Sequence, residues 1–504
     1  MMKEKEKNFD LKLNIVVGML NQVFIIIINL VTKTMIQRKL GIEYMGIQTV
    51  FSNICELIMF AFNGSGIAVL YSLYRPIEEN DTARIQKLYL YYNKIYRCMA
   101  GISLLLGIVA ASVVPFVINA KVPVARVELF YFLYLFSMLI YSRYLVLHFV
   151  LIAYQKRYVI CLVSGALEIV FLLAELLVIM KTGRYELFLG CILIKNTLIS
   201  GGLSVYLKKK YGKTFREIKK QNLEEAEKKT ILVNIKDLTL CQAGNVLINN
   251  TDSILISGLI NTLTSGCYSN YYFVSAGVLG VAGSFFESII AKVGSLSVSS
   301  SKEEFYNSFW KVSMIAIWIN GFFVTCYYLL IQDFVRLWIG QTSILSSAIV
   351  FIVTLNLYLE GMKLVTGTYR KSVGIFNNFD KLVLFRGVFN LVLSVLLGRM
   401  VGLFGILAAT TISNLCTEYW YAPYRLYSYF DKPIKYEVLY QILGMVSTLL
   451  CIWLTGKAIA YFDGTTWIGF FCKAIICVVV SNCCYLVLGV IYKMAEKKMI
   501  GRSK

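Results

Sequence analysis

Gln22, Asn29 and Lys33 stand at i, i+7 and i+11 in an otherwise apolar stretch, which puts them on one face of a helix. Gln242, Asn245, Asn249 and Asp252 stand at i, i+3, i+7 and i+10 in a second such stretch and share a face in the same way. These residue types suit a polar ligand: amides exchange hydrogen bonds with hydroxyls, and a lysine or arginine holds an anion such as a phosphate. Arg143 and Lys195 are further cations near the middle of apolar stretches. At a bilayer centre a charge costs roughly 2.5–3.5 kcal/mol on insertion scales, so each needs an anionic partner or an anionic ligand. Glu168 is an available internal partner for Arg143. Asn270, with Tyr271 and Tyr272, adds polar groups near the outer end of its stretch. Glu56, Glu175, Asp237, Glu287, Glu360, Lys363 and Arg386 complete the intramembrane charges. Lys363 and Arg386 lie nearer span ends, where snorkelling or pairing with Glu360 accounts for them. For the amides two readings stay open: they line a water-filled cavity, or they join neighbouring helices.

The chemistry that is missing narrows the function. There is no G-x-x-x-x-G-K phosphate loop, since CIWLTGK at Cys451 lacks the first glycine. There is no H-E-x-x-H and no nucleophile elbow. The single histidine, His148, gives the 13 cysteines no imidazole set, and none has metal-ligand spacing. The expectation is a protein that is not an enzyme and uses no cofactor or metal.

The elements that must position these residues are helices in lipid. Of 504 residues 58% are hydrophobic, and the mean hydropathy is +0.67. About fourteen stretches are long enough to cross a bilayer: 14–36, 46–73, 95–118, 127–154, 159–180, 185–207, 231–260, 265–293, 305–330, 345–368, 381–397, 402–424, 436–461 and 467–492. The net charge is +21. No basic domain stands apart from the spans, so this charge reads as loop lysine and arginine rather than nucleic-acid binding. With both termini inside, cytoplasmic segments carry about 30 Lys and Arg against about 8 outside. The charged N-terminus reads as a retained start-transfer helix.

The chain reads as built twice. MIQRKLGIEYMGIQTVFSNI at Met35 is similar to ISGLINTLTSGCYSNYYFVS at Ile256. Aligning Gly46 with Gly266 also places Gln22 on Gln242 and Asn29 on Asn249. AYQKRYV at Ala153 is similar to TYRKSVG at Thr368, and the charged loops at Leu70 and Val293 correspond. Six spans per half return the chain to the same side, so the halves are parallel repeats. The expected organisation is an N-terminal lobe (1–207), a basic cytoplasmic connector (208–230), a C-terminal lobe (231–430), and two further helices with a basic tail (431–504). The fold class is an all-α polytopic membrane protein: about 14 transmembrane helices, two six-helix lobes around a central cavity, plus two C-terminal helices.

QRKLGIEYMGIQTVFSNI at Gln37, NNTDSILISGLINTLTSGCYSNYYF at Asn249 and FDKLVLFRGVFNLVLSVLLGRMVGLFGILAATTISNL at Phe379 carry a resemblance. The chain resembles the bacterial polysaccharide transporters, the O-antigen and lipid-linked oligosaccharide flippases, within the multidrug/oligosaccharidyl-lipid/polysaccharide exporter superfamily. The motifs are diffuse, but the similarity covers nearly the whole chain. It implies a cationic cavity and a polyprenyl-pyrophosphate-linked sugar repeat unit moved across a bacterial plasma membrane. It also implies membrane lipids and a polysaccharide polymerase or other assembly proteins as partners. A cation-coupled multidrug exporter is the alternative. It would place acidic residues in the cavity, and Asp252, Glu56 and Glu287 are available for that role.

Overall fold

The computed structural model describes residues 2–211, 223–375 and 379–500. Part of the basic connector at 208–230 therefore lies outside the described residues, as do the side chains of Gln22 and Asp237.

Among the described residues every regular element is a helix. In lipid each backbone N–H and C=O must find its partner within the segment, and a helix provides that. The helices are α1 (Met2–Lys39), α2 (Ile42–Glu78), α3 (Thr82–Val117), α4 (Val124–Arg143), α5 (Leu145–Ala153), α6 (Arg157–Thr182) and α7 (Tyr185–Lys210). They are followed by α8 (Glu225–Leu259), α9 (Thr262–Ser288), α10 (Ile290–Ser299), α11 (Lys302–Trp338), α12 (Ser347–Ser372), α13 (Phe379–Val401), α14 (Leu403–Cys416), α15 (Glu418–Tyr429), α16 (Lys435–Ile459) and α17 (Trp467–Ile500). Among the described residues 11 helical segments are long and apolar enough to cross a membrane. The other three expected spans also fall on helices. The serines, glycines and tyrosines of α9 dilute its hydropathy, and α14 is short. The protein is a multi-pass, all-α membrane protein.

Three expected spans are broken in two: α4 from α5 at Tyr144, α9 from α10 at Ile289, and α14 from α15 at Thr417. None of these positions is Pro or Gly, the residues that punctuate a helix in sequence.

The repeat is visible in the turns. Ile36 O accepts from Leu40 N and Gly41 N, and 220 positions later Ile256 O accepts from Ile260 N and Asn261 N. Asp81 caps α3 by accepting from Arg84 N; Ser301, again 220 positions on, caps α11 by accepting from Glu304 N. From the next turn the register is 219. Tyr154, Gln155 and Lys156 donate to Val150, Ile152 and Leu151, and Val373, Gly374 and Ile375 donate to Tyr369, Lys371 and Arg370. Gly183 and Gly402 keep that register with left-handed φ of 61° and 65°, which a glycine adopts without strain. The Ala153 and Thr368 segments are therefore equivalent one helical turn further along than their sequences suggest. The shared Tyr, Lys and Arg letters drew the alignment to the wrong turn.

The chain forms two compact units: 1–266 with 383–388, and 267–382 with 389–504. The first has a core of Phe51, Phe62, Tyr96, Phe130, Tyr131, Tyr185 and Phe188. The second has Phe305, Phe309, Tyr369, Tyr427 and Phe430. By repeat α8 opens the second half, yet it packs along α2 in the first unit. Small residues permit this: a Cβ added at Gly64 would lie 2.8 Å from Thr239 Cα. Within the same unit, a Cβ added at Gly46 would run into the Thr262 carbonyl oxygen, and one added at Gly266 into that of Ile42. Ile42 and Thr262 are repeat equivalents, so the two glycine turns meet reciprocally.

Candidate functional site

On α1, Asn29 is exposed and Lys33 half-buried. The face that packs away from them carries Ile28, which is buried, and Asn21, which reaches Gly165 of α6. On α8, Asn249 and Asn245 are exposed, Gln242 is half-buried and Asp252 is buried. Asn29 and Asn249 are thus repeat equivalents, and both keep an amide uncovered. In a bilayer an uncovered amide must face water or a polar group, because lipid offers it no hydrogen bond. The next residue on α8, Asn250, turns the other way and is buried.

The two membrane cations have different surroundings. Lys195 on α7 is buried between two carboxylates of α6: Nζ donates to Glu168 Oε2 at 2.9 Å and to Glu175 Oε1 at 3.2 Å. Glu168 and Glu175 are two helical turns apart, so one lysine head bridges both. Glu168 is therefore the partner of Lys195 and not of Arg143. Sequence distance could not decide this, because helix packing sets which neighbour the carboxylate meets.

Arg143 is the last residue of α4, not the middle of a continuous span. The break at Tyr144 separates it from the apolar α5. Its Nη1 donates to Asn93 Oδ1 at 2.9 Å, and its Cζ sits 5.4 Å from the Tyr144 ring centre. Among the described residues it has no carboxylate partner. Asn93 and Arg97 were not legible as site residues in the sequence, but a signal was there. Tyr89, Asn93 and Arg97 repeat at i, i+4 and i+8 along α3, the kind of spacing that marked α1.

In the second unit, Lys363 of α12 pairs with Glu360 at 2.8 Å and with Glu418 of α15 at 3.2 Å, while Asn414 Nδ2 donates to Glu360 Oε1. Asn270 is fully buried on α9. Its neighbour Tyr271 is committed to structure: its hydroxyl donates to Gln332 Oε1 and accepts from Leu345 N. Tyr272 is exposed; Arg386, which belongs to the first unit, is buried on α13.

No protein-family model matches the chain, and no curated protein matches it by sequence. Solved structures do match. A lipid II flippase, MurJ, in an inward closed conformation superposes with a TM-score of 0.67 at 15% identity, over 95% of this chain and 99% of that one. A MATE-family multidrug resistance transporter of the MOP superfamily, inward-facing, gives 0.65 at 12% identity over 80% and 94%. The Vibrio cholerae MATE transporter VcmN gives 0.56 at 14% identity over 86% and 97%. At these identities the likeness is one of fold: this chain has, over nearly its whole length, the fold that the lipid II flippase shares with the MATE transporters of the MOP superfamily.

Proposed function

We propose that the chain is a transporter that flips a polyprenyl-pyrophosphate-linked oligosaccharide repeat unit from the cytoplasmic to the outer leaflet by alternating access, for surface polysaccharide assembly. The cargo is anionic at its diphosphate and rich in hydroxyls. The observation that carries the choice of cargo is the distribution of charge. The membrane carboxylates Glu168 and Glu175 pair with Lys195, and Glu360 and Glu418 pair with Lys363. Among the described residues the Arg143 guanidinium meets an amide and a ring, and no carboxylate. A site with an uncompensated arginine selects an anion, and its planar fork matches phosphate oxygens. The uncovered amides of Asn29 and Asn249, with Gln22, Lys33, Gln242, Asn245, Asp252 and Asn270, are assigned to the sugar part.

The competing reading is a cation-coupled multidrug exporter, which two of the structural relatives support by their fold. The acidic residue best placed for it is Glu56, exposed on α2. Deleting the gene separates the two readings. The flippase reading expects lipid-linked repeat units to accumulate on the inner leaflet with drug sensitivity unchanged. Normal surface polysaccharide together with raised sensitivity to cationic drugs would overturn it.

A further inference from the structure

We propose that Arg97 and Arg143, with Asn93 between them, form a binding site for the phosphate group of a lipid in the leaflet that the lysine and arginine bias assigns to the cytoplasm. Arg97 is the last charge on α3 before the uncharged run 98–120, and Arg143 closes α4, which starts just after that run ends. The Asn93–Arg143 hydrogen bond of 2.9 Å ties the two helices together at this level. Both guanidiniums therefore lie at one edge of the hydrocarbon layer, where phospholipid and prenyl-diphosphate headgroups sit.

Arg143 lies in the field of Arg97 and of the phenols Tyr89 and Tyr144, and among the described residues neither arginine has a carboxylate partner. Two like charges held side by side repel, and an anion shared between them removes the repulsion. Arg97 is exposed and Arg143 half-buried, so a headgroup can reach both. Tyr89, Asn93 and Arg97 align on one face of α3, which gives the site phenol, amide and guanidinium donors in a row. The ligand chemistry is a phosphate, and two lipids carry it: the diphosphate of the cargo and the phosphodiester of an anionic phospholipid. The cargo identification rests on the proposed flippase function; the phosphate site does not.

The test is direct binding to the purified full-length chain in phosphatidylcholine nanodiscs, titrated with geranylgeranyl diphosphate, with geranylgeraniol and with phosphatidylglycerol. The site expects the diphosphate to bind well above the alcohol. Each of Arg97→Ala and Arg143→Ala should weaken it about tenfold, since each removes a charge-assisted bond. Arg97→Lys and Arg143→Lys should keep part of the affinity. Preference for the diphosphate over phosphatidylglycerol supports the cargo assignment. Equal binding of both, lost in both alanine variants, keeps the phosphate site and makes it a phospholipid site. Unchanged diphosphate affinity in the folded double variant Arg97→Ala, Arg143→Ala would overturn the proposal, whether or not the chain transports anything. Diphosphate binding by a wild-type chain that flips no lipid-linked sugar would instead overturn the proposed function and leave the site standing.

Discussion

At the scale of single residues, two cations that look alike in the sequence do opposite work. Lys195 is paired inside the protein with Glu168 and Glu175, whose side chains are 25% and 4% exposed. Removing one member of a buried ion cluster strands the others, at a cost of about 3–5 kcal/mol. Lys195→Ala is therefore expected to lower the unfolding temperature and the amount of protein in the membrane. Arg143→Ala should leave stability within about 1 kcal/mol, because its hydrogen bond is at a water-accessible edge. Adding Glu168→Ala to Arg143→Ala should restore nothing and should itself destabilise through Lys195. Thermal unfolding of these variants in detergent decides the matter; recovery of the double variant would show that Glu168 serves Arg143 after all. The residue types and helical spacing of the polar positions were legible in the sequence. Their partners were not, because a carboxylate two turns along one helix can serve either neighbouring helix until packing is known.

Helix boundaries come from caps and glycines, and these are where the sequence speaks most clearly. The Gly46–Gly266 correspondence, drawn from letters alone, is the position at which the two turns meet. Gly46→Ala would drive a Cβ into the Thr262 carbonyl, and Gly266→Ala into that of Ile42. Each is expected to cost about 1–3 kcal/mol, as overpacking does. At Gly101 on α3 an added Cβ would have nothing within 4 Å, so Gly101→Ala should gain about 0.5–1 kcal/mol from helix propensity. Equal melting temperatures for the three variants would mean that the glycine turns do not pack as closely as described. The breaks at Tyr144, Ile289 and Thr417 were illegible for a physical reason. None of the three positions is a Pro or Gly, and the backbone bends there to suit neighbouring helices rather than a local preference. The break at Tyr144 matters most, since Arg143 closes the helix there and bonds Asn93 of α3.

For the whole molecule, fourteen spans, a twofold repeat and two additional helices follow from hydropathy and self-similarity, and the fold of the lipid II flippase and MATE transporters agrees with that plan. Orientation and water access need solution tests. In an otherwise cysteine-free chain, a cysteine replacing Lys209, at the exposed end of α7, should resist an impermeant reagent added to intact cells. Labelling there would invert the proposed topology. Cysteines replacing Asn29 and Asn249 should react with a small aqueous thiol reagent in at least one conformation, and a cysteine replacing the apolar, exposed Ile27 should not. Silence at both amides in every state would make them helix-joining groups. The central claim, an anionic lipid-linked cargo, is tested most directly by reconstitution. The purified chain is placed in liposomes containing a fluorescent polyprenyl-diphosphate-linked oligosaccharide, and the label exposed on each leaflet is followed by quenching. Transbilayer movement with the wild-type chain, its loss with Arg143→Ala, and no extrusion of a cationic dye under a proton or sodium gradient is the expected result. Gradient-driven extrusion of the dye, with the lipid-linked sugar left in its original leaflet, would contradict it.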